Sequence, residues 1–270
     1  MKAATFEYRR AETTGQAVSL IAAGASAAKV CGGSQSLGPM LNLRLAQVDQ
    51  LVDIRHIKVM QTFAMRGDVL RIGAGVTHAR IEDGELPDVT KGLLSKVAAD
   101  IAHRAVRNRG TLGGSLAHAD PAADWVSTMS LLDAGIVIAG SNGERTMRAT
   151  EFLQGAFTTA LTFDEIVIAV EVPVFSTAAR WAYCKTCRKP GEFAEAIGAV
   201  YIDPERGIAR ALMGALGGMP LVVQGHAELT RLLTQPDAMQ TLLDDAGLEE
   251  AYERQVHAVM LRRALESANI

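Results

Sequence analysis

Two loops built around adjacent glycines constrain the fold of this chain more than any other feature of its sequence. The first covers residues 32–37 and follows a short apolar segment, and the second lies within residues 107–121. Adjacent glycines can adopt positive φ and let backbone N–H groups approach a ligand, while neighbouring hydroxyl groups add donors. Either loop alone is more typical of a tight turn. Together the two loops predict one bound diphosphate.

Neither glycine loop has the spacing of the common nucleotide-binding motifs. The G-x-G-x-x-G of the dinucleotide-binding fold and the G-x-x-x-x-G-K-[ST] of phosphate-binding loops are both missing from them. We therefore disfavour Rossmann and P-loop enzymes, and we expect a different scaffold to hold the nucleotide.

Local patterns predict a mixture of short strands and helices. Strands are expected at residues 29–31, 51–54, 69–75, 136–139, 144–147, 165–172, 194–202 and 208–215. Helices are expected after a cap at Thr13 or Thr14, over residues 93–104, from an Asp120 cap to Gly135, and over residues 248–266. The dipeptide Asn142-Gly143 is the strongest hairpin signal. Runs of strands with segregated helices indicate an α+β fold.

Size and charge narrow the class of protein. The chain has 270 residues, 49% of them hydrophobic, which is enough to bury more than one core. A net charge of −3 without a long run of Lys or Arg argues against nucleic acid and anionic membranes as partners. The N-terminus lacks an apolar signal sequence, and no later segment approaches the roughly 20 apolar residues that span a bilayer. We expect a cytoplasmic protein.

The three cysteines make no disulfide framework and fit a reducing compartment. Cys184 and Cys187 form a C-x-x-C, which is compatible with a redox pair or with half of a zinc site. No further His or Cys lies at ligand spacing from Cys31, so the favoured interpretation is buried or incidental thiols. We predict no metal ligands in this chain.

Both loops and their surroundings resemble the FAD-binding medium subunit of the xanthine dehydrogenase and carbon monoxide dehydrogenase family of molybdenum hydroxylases. Residues 31–40, 43–46 and 51–54 are similar to the first FAD segment of that family, and residues 107–124 resemble the second almost residue for residue. Further similarity follows in the family's order at residues 6–8, 72–75, 171–173, 188–194 and 217–218. Ser34 is one residue more than many relatives have, and it shifts the first loop by one position.

The resemblance implies an α+β fold with a two-lobed FAD-binding domain of the vanillyl-alcohol oxidase, or PCMH, type. A smaller α+β C-terminal domain is expected to follow. The implied borders are residues 1–58 for the first lobe, 59–174 for the second lobe and 175–270 for the C-terminal domain.

The implied cofactor is FAD, with its pyrophosphate between the two loops. Contacts from the loops are expected at Gly32, Gly33, Ser34, Gln35, Ser36, Leu37, Thr111, Gly113, Gly114 and Ser115. By the same resemblance, Asp124 corresponds to an acid near the ribityl chain, Ile101 and Ile168 to apolar contacts, and Lys185 to a lysine near the flavin. No catalytic residue is assigned.

Several charged residues also have ordinary structural interpretations. The carboxylate of Asp124 could simply complement a helix dipole. Arg107 and Arg109 could be solvated, could bind a partner subunit or could bind phosphate. Glu192 and Lys185 either tune the flavin or form a weak surface ion pair. His103 and His118 are interpreted as hydrogen-bonded structural residues, because no nucleophile lies at triad-like spacing.

The function implied by the resemblance is electron relay. The chain has no four-cysteine set for an iron–sulfur cluster, so the molybdopterin and two two-iron two-sulfur clusters are expected in a large and a small partner subunit. A dimer of heterotrimers is the expected assembly. One rival is a self-sufficient flavin oxidoreductase acting directly on a small molecule. Another is a scaffold subunit that has lost its flavin, which the intact loops disfavour.

Overall fold

Three main sheets follow one another along the chain, each with its own helices. The structure is a computed structural model that describes residues 2–24 and 27–270. The N-terminal sheet is parallel, whereas the middle and C-terminal sheets are antiparallel. Every helix in the described part of the chain is too short or too polar to traverse a lipid bilayer.

The N-terminal sheet has the strand order β1-β3-β2. Its segment contains β1 (Glu7–Arg10), α1 (Thr14–Gly24), β2 (Ala28–Cys31), α2 (Leu37–Asn42) and β3 (Gln50–Asp53). Thr13 caps α1 as predicted, because its Oγ1 accepts the N–H of Gln16 at 3.1 Å. The parallel pairing of β2 with β3 places Cys31 beside Asp53, so the loops that follow these two strands begin at the same edge of the sheet.

The middle sheet has the strand order β4-β5-β10-β6-β7. Its segment contains β4 (Phe63–Arg66), β5 (Val69–Gly73), α3 (His78–Glu82), α4 (Leu93–Ala99), α5 (Arg104–Arg107), α6 (Leu112–His118), α7 (Asp124–Leu132), β6 (Gly135–Gly140), β7 (Gly143–Arg148), α8 (Ala149–Phe152), β8 (Leu153–Gly155), β9 (Thr158–Thr159) and β10 (Ile166–Pro173). The hairpin predicted at Asn142-Gly143 is confirmed, because Gly140 pairs with Gly143, whose φ is 106°.

The prediction of one helix over residues 93–104 is wrong. The helix α4 ends at Ala99, and the chain turns at Ala102, whose φ is 44°, before α5 begins at Arg104. Arg107 stabilises this turn by donating from Nη1 to the carbonyl oxygens of Ile101 and Ala102 at 2.9 and 3.0 Å. The left-handed backbone therefore divides the predicted helix in two.

The predicted bounds of the next long helix are also wrong. The helix α7 begins at Asp124 and not after an Asp120 cap. Asp120 forms a local turn instead, since its Oδ1 accepts the N–H of Ala122 at 3.0 Å. The helix ends where Asp133 takes a φ of 52°, two positions before the predicted stop at Gly135.

The C-terminal sheet is a meander of four strands in chain order. Its segment contains β11 (Arg180–Thr186), β12 (Ala196–Asp203), β13 (Ile208–Gly214), β14 (Leu221–Gln224), α9 (His226–Thr234), α10 (Pro236–Asp245) and α11 (Ala251–Ser267). The strands predicted at residues 194–202 and 208–215 correspond to β12 and β13. The last helix begins at Ala251, three positions after its predicted start.

The helix α7 joins the middle and C-terminal sheets. All nine of its residues are buried, and it contacts β10 as well as β12 and β13. A Cβ on Gly214 would lie 2.2 Å from Ser127 Oγ, which shows how closely α7 approaches β13. On the opposite face of the C-terminal sheet, a Cβ on Gly198 would lie 2.3 Å from the carbonyl carbon of Met260 in α11. The C-terminal sheet is therefore buried on both faces.

Candidate functional site

The first glycine loop connects β2 to α2 and leaves its N–H groups available. No backbone–backbone hydrogen bond of the described chain has its donor within residues 32–37. Ser34 takes a φ of 56°, and its Oγ lies 2.6 Å from the Sγ of Cys31. Gln35 donates from Nε2 to the carbonyl oxygen of Gly33 at 3.0 Å. A row of N–H groups without protein acceptors is a concavity suited to an anion.

The structure brings the two predicted loops into direct contact. A Cβ on Gly33 would lie only 2.0 Å from the carbonyl oxygen of Arg109 and 2.7 Å from the Cα of Gly110. A Cβ on Gly32 would lie 3.3 Å from Thr111 Oγ1. Glycine is required at position 33 because any side chain there would overlap the backbone of the second loop.

The second loop uses its N–H groups within the protein. Thr111 caps α6, where its Oγ1 accepts the N–H of Gly114 at 3.1 Å and its carbonyl oxygen accepts that of Ser115 at 3.0 Å. Gly113 donates to the carbonyl oxygen of Ala74 at 2.9 Å, and a Cβ on Gly113 would lie 2.3 Å from Ala74 Cβ. This loop is therefore a supported wall, whereas the first loop supplies the available donors.

A buried histidine supports the second loop from below. The N–H of His78 donates to the carbonyl oxygen of Gly110 at 2.9 Å, and its Nδ1 accepts a hydrogen bond from Trp125 Nε1 at 3.0 Å. Burial, together with the nearby Arg107 charge, lowers the pKa of His78 from 6.5 to about 4. The imidazole is consequently neutral near pH 7, as its role as an acceptor for Trp125 requires.

A cavity of about 250 Å³ lies where the two loops meet. It has backbone from both loops on its walls, together with polar and charged side chains. Its lining residues are Gly32, Gly33, Ile54, Arg55, Gln61, Gly75, Thr77, Asn108, Arg109 and Thr111.

One wall of the cavity carries an arginine held by a buried carboxylate. Arg55 donates from Nε to both carboxylate oxygens of Asp53, at 3.0 and 3.1 Å, and from Nη2 to Oδ2 at 2.7 Å. The hydroxyl of Tyr8 also donates to Asp53, whose side chain is fully buried. Burial raises the pKa of Asp53, but hydrogen bonds from Arg55 and Tyr8 outweigh it and lower the pKa to about 2.

The two arginines of the second loop have different surroundings. Arg107 is mostly buried and forms a two-point ion pair with Glu82, with N–O distances of 2.7 and 2.8 Å. Arg109 is exposed and lines the cavity, and no ion pair or side-chain hydrogen bond engages its guanidinium within the described chain. Arg107 is thus a structural residue, and Arg109 is the arginine that faces the candidate site.

Asp124 lies at a second polar cluster, between α7 and β11. Its Oδ1 accepts the hydroxyl of Tyr183 at 2.8 Å, and its Oδ2 lies 2.9 Å from Lys185 Nζ. Lys185 also donates to the carbonyl oxygen of Asp100 at 3.1 Å. Burial raises the pKa of Asp124, while Lys185 and Tyr183 oppose the shift. A surface ion pair between Lys185 and Glu192, one of the two alternatives that the sequence left open, is not formed, because Glu192 pairs with Arg188 at 3.0 Å on the surface.

The other predicted contacts are spread around these two clusters. Ile168 is buried in β10, and its carbonyl oxygen accepts the N–H of Ala74, the same residue that contacts Gly113. Ile101 is half-buried beside the turn held by Arg107. Leu37 begins α2 after Ser36, whose side chain makes no capping bond. Gly32, Gly33 and Thr111 are the predicted contacts that line the cavity.

The cysteines form no disulfide. Cys31 is buried, and Cys184 and Cys187 are half-buried, all three as free thiols. Across residues 2–24 and 27–270, no group of three or more His, Cys, Asp or Glu side chains is arranged to hold a metal ion.

Sequence reasoning missed Arg55 and its partners Asp53 and Tyr8. The only signal was positional, since Asp53 ends a strand inside the first family-like segment and Arg55 follows two residues later. Gln61 and Thr77 were also missed, because they lie before β4 and before α3, far from both loops in sequence, and approach the loops only after folding.

Comparison with known proteins is consistent with this geometry. A family described as "FAD binding domain in molybdopterin dehydrogenase" matches residues 4–175. The caffeine dehydrogenase subunit beta of Pseudomonas sp. (strain CBB1) is 32% identical over 240 residues, which cover 87% of this chain and 81% of that protein. The carbon monoxide dehydrogenase medium chain of Hydrogenophaga pseudoflava is 31% identical over 277 residues, with 97% and 96% coverage.

Solved structures show the same architecture. A carbon monoxide dehydrogenase from Hydrogenophaga pseudoflava superposes with a TM-score of 0.87 and 32% identity, covering 99% of this chain and 98% of that one. Quinoline 2-oxidoreductase from Pseudomonas putida 86 superposes with a TM-score of 0.84 and 29% identity over the same shares.

Fold and site together define the class as an FAD-binding flavoprotein with the α+β fold of the vanillyl-alcohol oxidase, or PCMH, type. Within that class, the chain belongs to the family of FAD-binding medium subunits of molybdenum hydroxylases. Both statements confirm what the family resemblance of this sequence implied.

Proposed function

We propose that this chain holds the diphosphate of FAD at the junction of its two glycine loops. The observation that carries the proposal is that the N–H groups of residues 32–37 have no backbone acceptor, while Gly32 and Gly33 of the same loop line the cavity. Anions bind where several backbone N–H groups converge. The expected first-loop ligands are the backbone of Gly32 to Leu37 and the hydroxyls of Ser34 and Ser36.

The second loop then forms the opposing wall. Thr111 lines the cavity, and Gly113 holds the loop against Ala74. The proposed role of these two residues is to position the loop, more than to donate hydrogen bonds to the diphosphate. Gly114 and Ser115 lie in the accessible first turn of α6 and remain the proposed contacts on that side.

The flavin half is assigned to the second polar cluster. Ile101 and Ile168 supply apolar surface, and Lys185 and Asp124 supply a buried pair of opposite charge. The Asp124 carboxylate accepts hydrogen bonds from Tyr183 and Lys185, one on each oxygen, which leaves lone pairs on both oxygens. Its proposed roles are to fix Lys185 and to accept a hydrogen bond from the ribityl chain. When bound, FAD supplies the redox chemistry of the subunit, and the protein supplies orientation and charge.

We propose that the chain works as the electron-relay subunit of a complex. The relatives named above are a subunit beta and a medium chain, which supports a large molybdopterin-binding partner and a small iron–sulfur partner. Electrons would reach this subunit from the iron–sulfur partner and leave to an external acceptor. A dimer of heterotrimers in the cytoplasm is the proposed assembly, and three free thiols fit that reducing compartment.

The substrate class is proposed from the relatives' names. They include caffeine dehydrogenase, nicotine 6-hydroxylase and carbon monoxide dehydrogenase. We propose that the complex hydroxylates an N-heteroaromatic compound or oxidises an aldehyde or carbon monoxide at molybdenum, outside this chain. Within the chain, the proposed division is residues 1–58 and 59–174 for the two FAD lobes and 175–270 for the C-terminal domain.

Purification of the native complex tests this function. We expect a flavin spectrum from this chain, and molybdenum and iron in two co-purifying subunits. Flavin and turnover in the isolated chain, without metal-bearing partners, would support a self-sufficient oxidoreductase instead. Freshly purified complex without any flavin would contradict both.

A further inference from the structure

The Arg55 guanidinium is fixed in place before any ligand arrives. Its Nε and Nη2 are both used by the fully buried carboxylate of Asp53, and the backbone N–H of Arg55 donates to Oδ1 of the same carboxylate at 2.8 Å. Nη1 has no acceptor within the described chain, and the Arg55 side chain remains 42% exposed where it lines the cavity. The edge of the guanidinium that carries Nε and Nη2 is therefore fixed by Asp53, and Nη1 is available to a ligand.

Asp53 is itself held from the far side by Tyr8. The Tyr8 hydroxyl donates to Oδ2, and β1 and β2 pair with β3 on either side of this carboxylate. A buried carboxylate is costly unless it is paired and hydrogen-bonded, and here two partners meet that need. The arrangement orders an arginine side chain that would otherwise lose considerable rotamer entropy on binding a ligand.

Arg109, in the second glycine loop, supplies a second cation at the same cavity. Its carbonyl oxygen packs on Gly33, and its exposed guanidinium has no carboxylate partner in the described chain. Asp53 neutralises one of the two arginine charges, so the cavity wall keeps a net positive charge. A diphosphate would meet positive charge from the segment after β3 and from the second glycine loop.

We propose that Arg55 and Arg109 form a two-arginine clamp on the diphosphate of FAD, and that Tyr8 and Asp53 position Arg55 for it. The proposal rests on the proposed function, and it names the side chains that add charge to the N–H row of the first loop. Arginine suits this task because its planar fork binds phosphate oxygens with two N–H groups.

The clamp is tested by the affinities of the flavin-free full chain for FAD and for riboflavin, which lacks phosphate, using flavin fluorescence. Arg109→Gln is the main variant, because its guanidinium has no partner whose loss would disturb folding. We expect its dissociation constant for FAD to rise about 10- to 100-fold, with riboflavin binding changed by less than about twofold. Added salt should weaken FAD binding less in the variant than in the wild type.

Arg55 needs a paired variant, because Arg55→Gln alone leaves Asp53 buried and unpaired. The double substitution Asp53→Asn with Arg55→Gln removes both charges and is expected to give a similar loss of FAD affinity. Arg231→Gln is the matched control, since Arg231 is an exposed arginine on α9 that pairs only with Glu228 and its own helix. FAD affinities of Arg109→Gln and Arg231→Gln that agree within about twofold would overturn the clamp. Wild-type chain that binds no FAD would instead overturn the proposed function.

Discussion

The ammonium of Lys185 lies 2.9 Å from the carboxylate of Asp124, and the two side chains are only 8% and 5% exposed. The pair connects β11 to the first residue of α7 and so ties the C-terminal sheet to the middle segment. Because both charges are buried, water cannot solvate either of them if its partner is removed.

Lys185→Met is therefore expected to lower the free energy of unfolding by about 3–5 kcal/mol, measured by urea denaturation. Adding Asp124→Asn should restore part of the loss, since no unpaired charge then remains. Arg188→Gln breaks the exposed pair with Glu192 and should cost less than about 1 kcal/mol. Equal effects of the buried and exposed substitutions would contradict this account.

Gly33→Ala should separate the two glycine loops. The new Cβ would overlap the carbonyl oxygen of Arg109, which is backbone and cannot rotate away. We expect a loss of about 1–3 kcal/mol of stability and a fall in bound FAD, measured by urea denaturation and by the flavin-to-protein absorbance ratio. Gly218→Ala is the control, because its Cβ would meet no atom within 4 Å. Normal flavin content in Gly33→Ala would show that the contact between loops is not needed.

The stability of the chain should depend on pH through His78. Its folded pKa of about 4 lies below the unfolded value of 6.5, so the unfolded state binds the additional proton between these values. Stability should therefore fall as the pH drops below about 6.5, by about 2 kcal/mol between pH 7 and pH 5 from this residue alone. His78→Asn keeps an acceptor for Trp125 and removes this titration. Urea denaturation of the wild type and of His78→Asn at a series of pH values isolates the contribution of His78. If the free energies of unfolding of the two proteins changed in parallel with pH, the prediction would be wrong.

Gly114→Trp tests the proposed side of approach. Gly114 is exposed in the first turn of α6, and the atom nearest to a Cβ at this position would be the hydroxyl oxygen of Thr111, which can rotate at the cost of its capping bond, about 1 kcal/mol. The bulky ring should block the cofactor while the chain stays folded, so that FAD affinity drops at least about tenfold. Gly217→Trp, at an open position, is the control. Undiminished FAD binding by Gly114→Trp would remove Gly114 from the site.

The two glycine loops could be predicted from sequence because their chemistry is local, and FAD followed from the resemblance of these segments to a known family. Residues 32–37 and 107–121 carry their glycines and hydroxyls together, and the Asn142-Gly143 turn specifies a hairpin by its own backbone preference. The predicted helix bounds were wrong where a side chain folds back on the nearby backbone and stabilises a turn. The break at Ala102 depends on a hydrogen bond from Arg107, and a sequence pattern does not show whether that side chain folds back.

The charged part of the site was less predictable for the same reason. Arg107 and Arg109 look equivalent in sequence, and only the distant Glu82 separates the structural arginine from the one at the cavity. Arg55 gained its significance from Asp53 and Tyr8, which depend on the pairing of β1 and β3. Long-range pairing of this kind leaves no periodic signal.

The burial of α7 on both sides has a consequence for how the protein is made. Residues up to 175 leave the ribosome before β12 and β13 have been synthesised. One side of α7 therefore stays uncovered while the remaining chain is made, on the order of 10 s. During that interval an apolar helix lacks its partner, and the nascent chain is open to aggregation. Chaperone demand and sensitivity to translation speed should therefore be concentrated in the final third of synthesis.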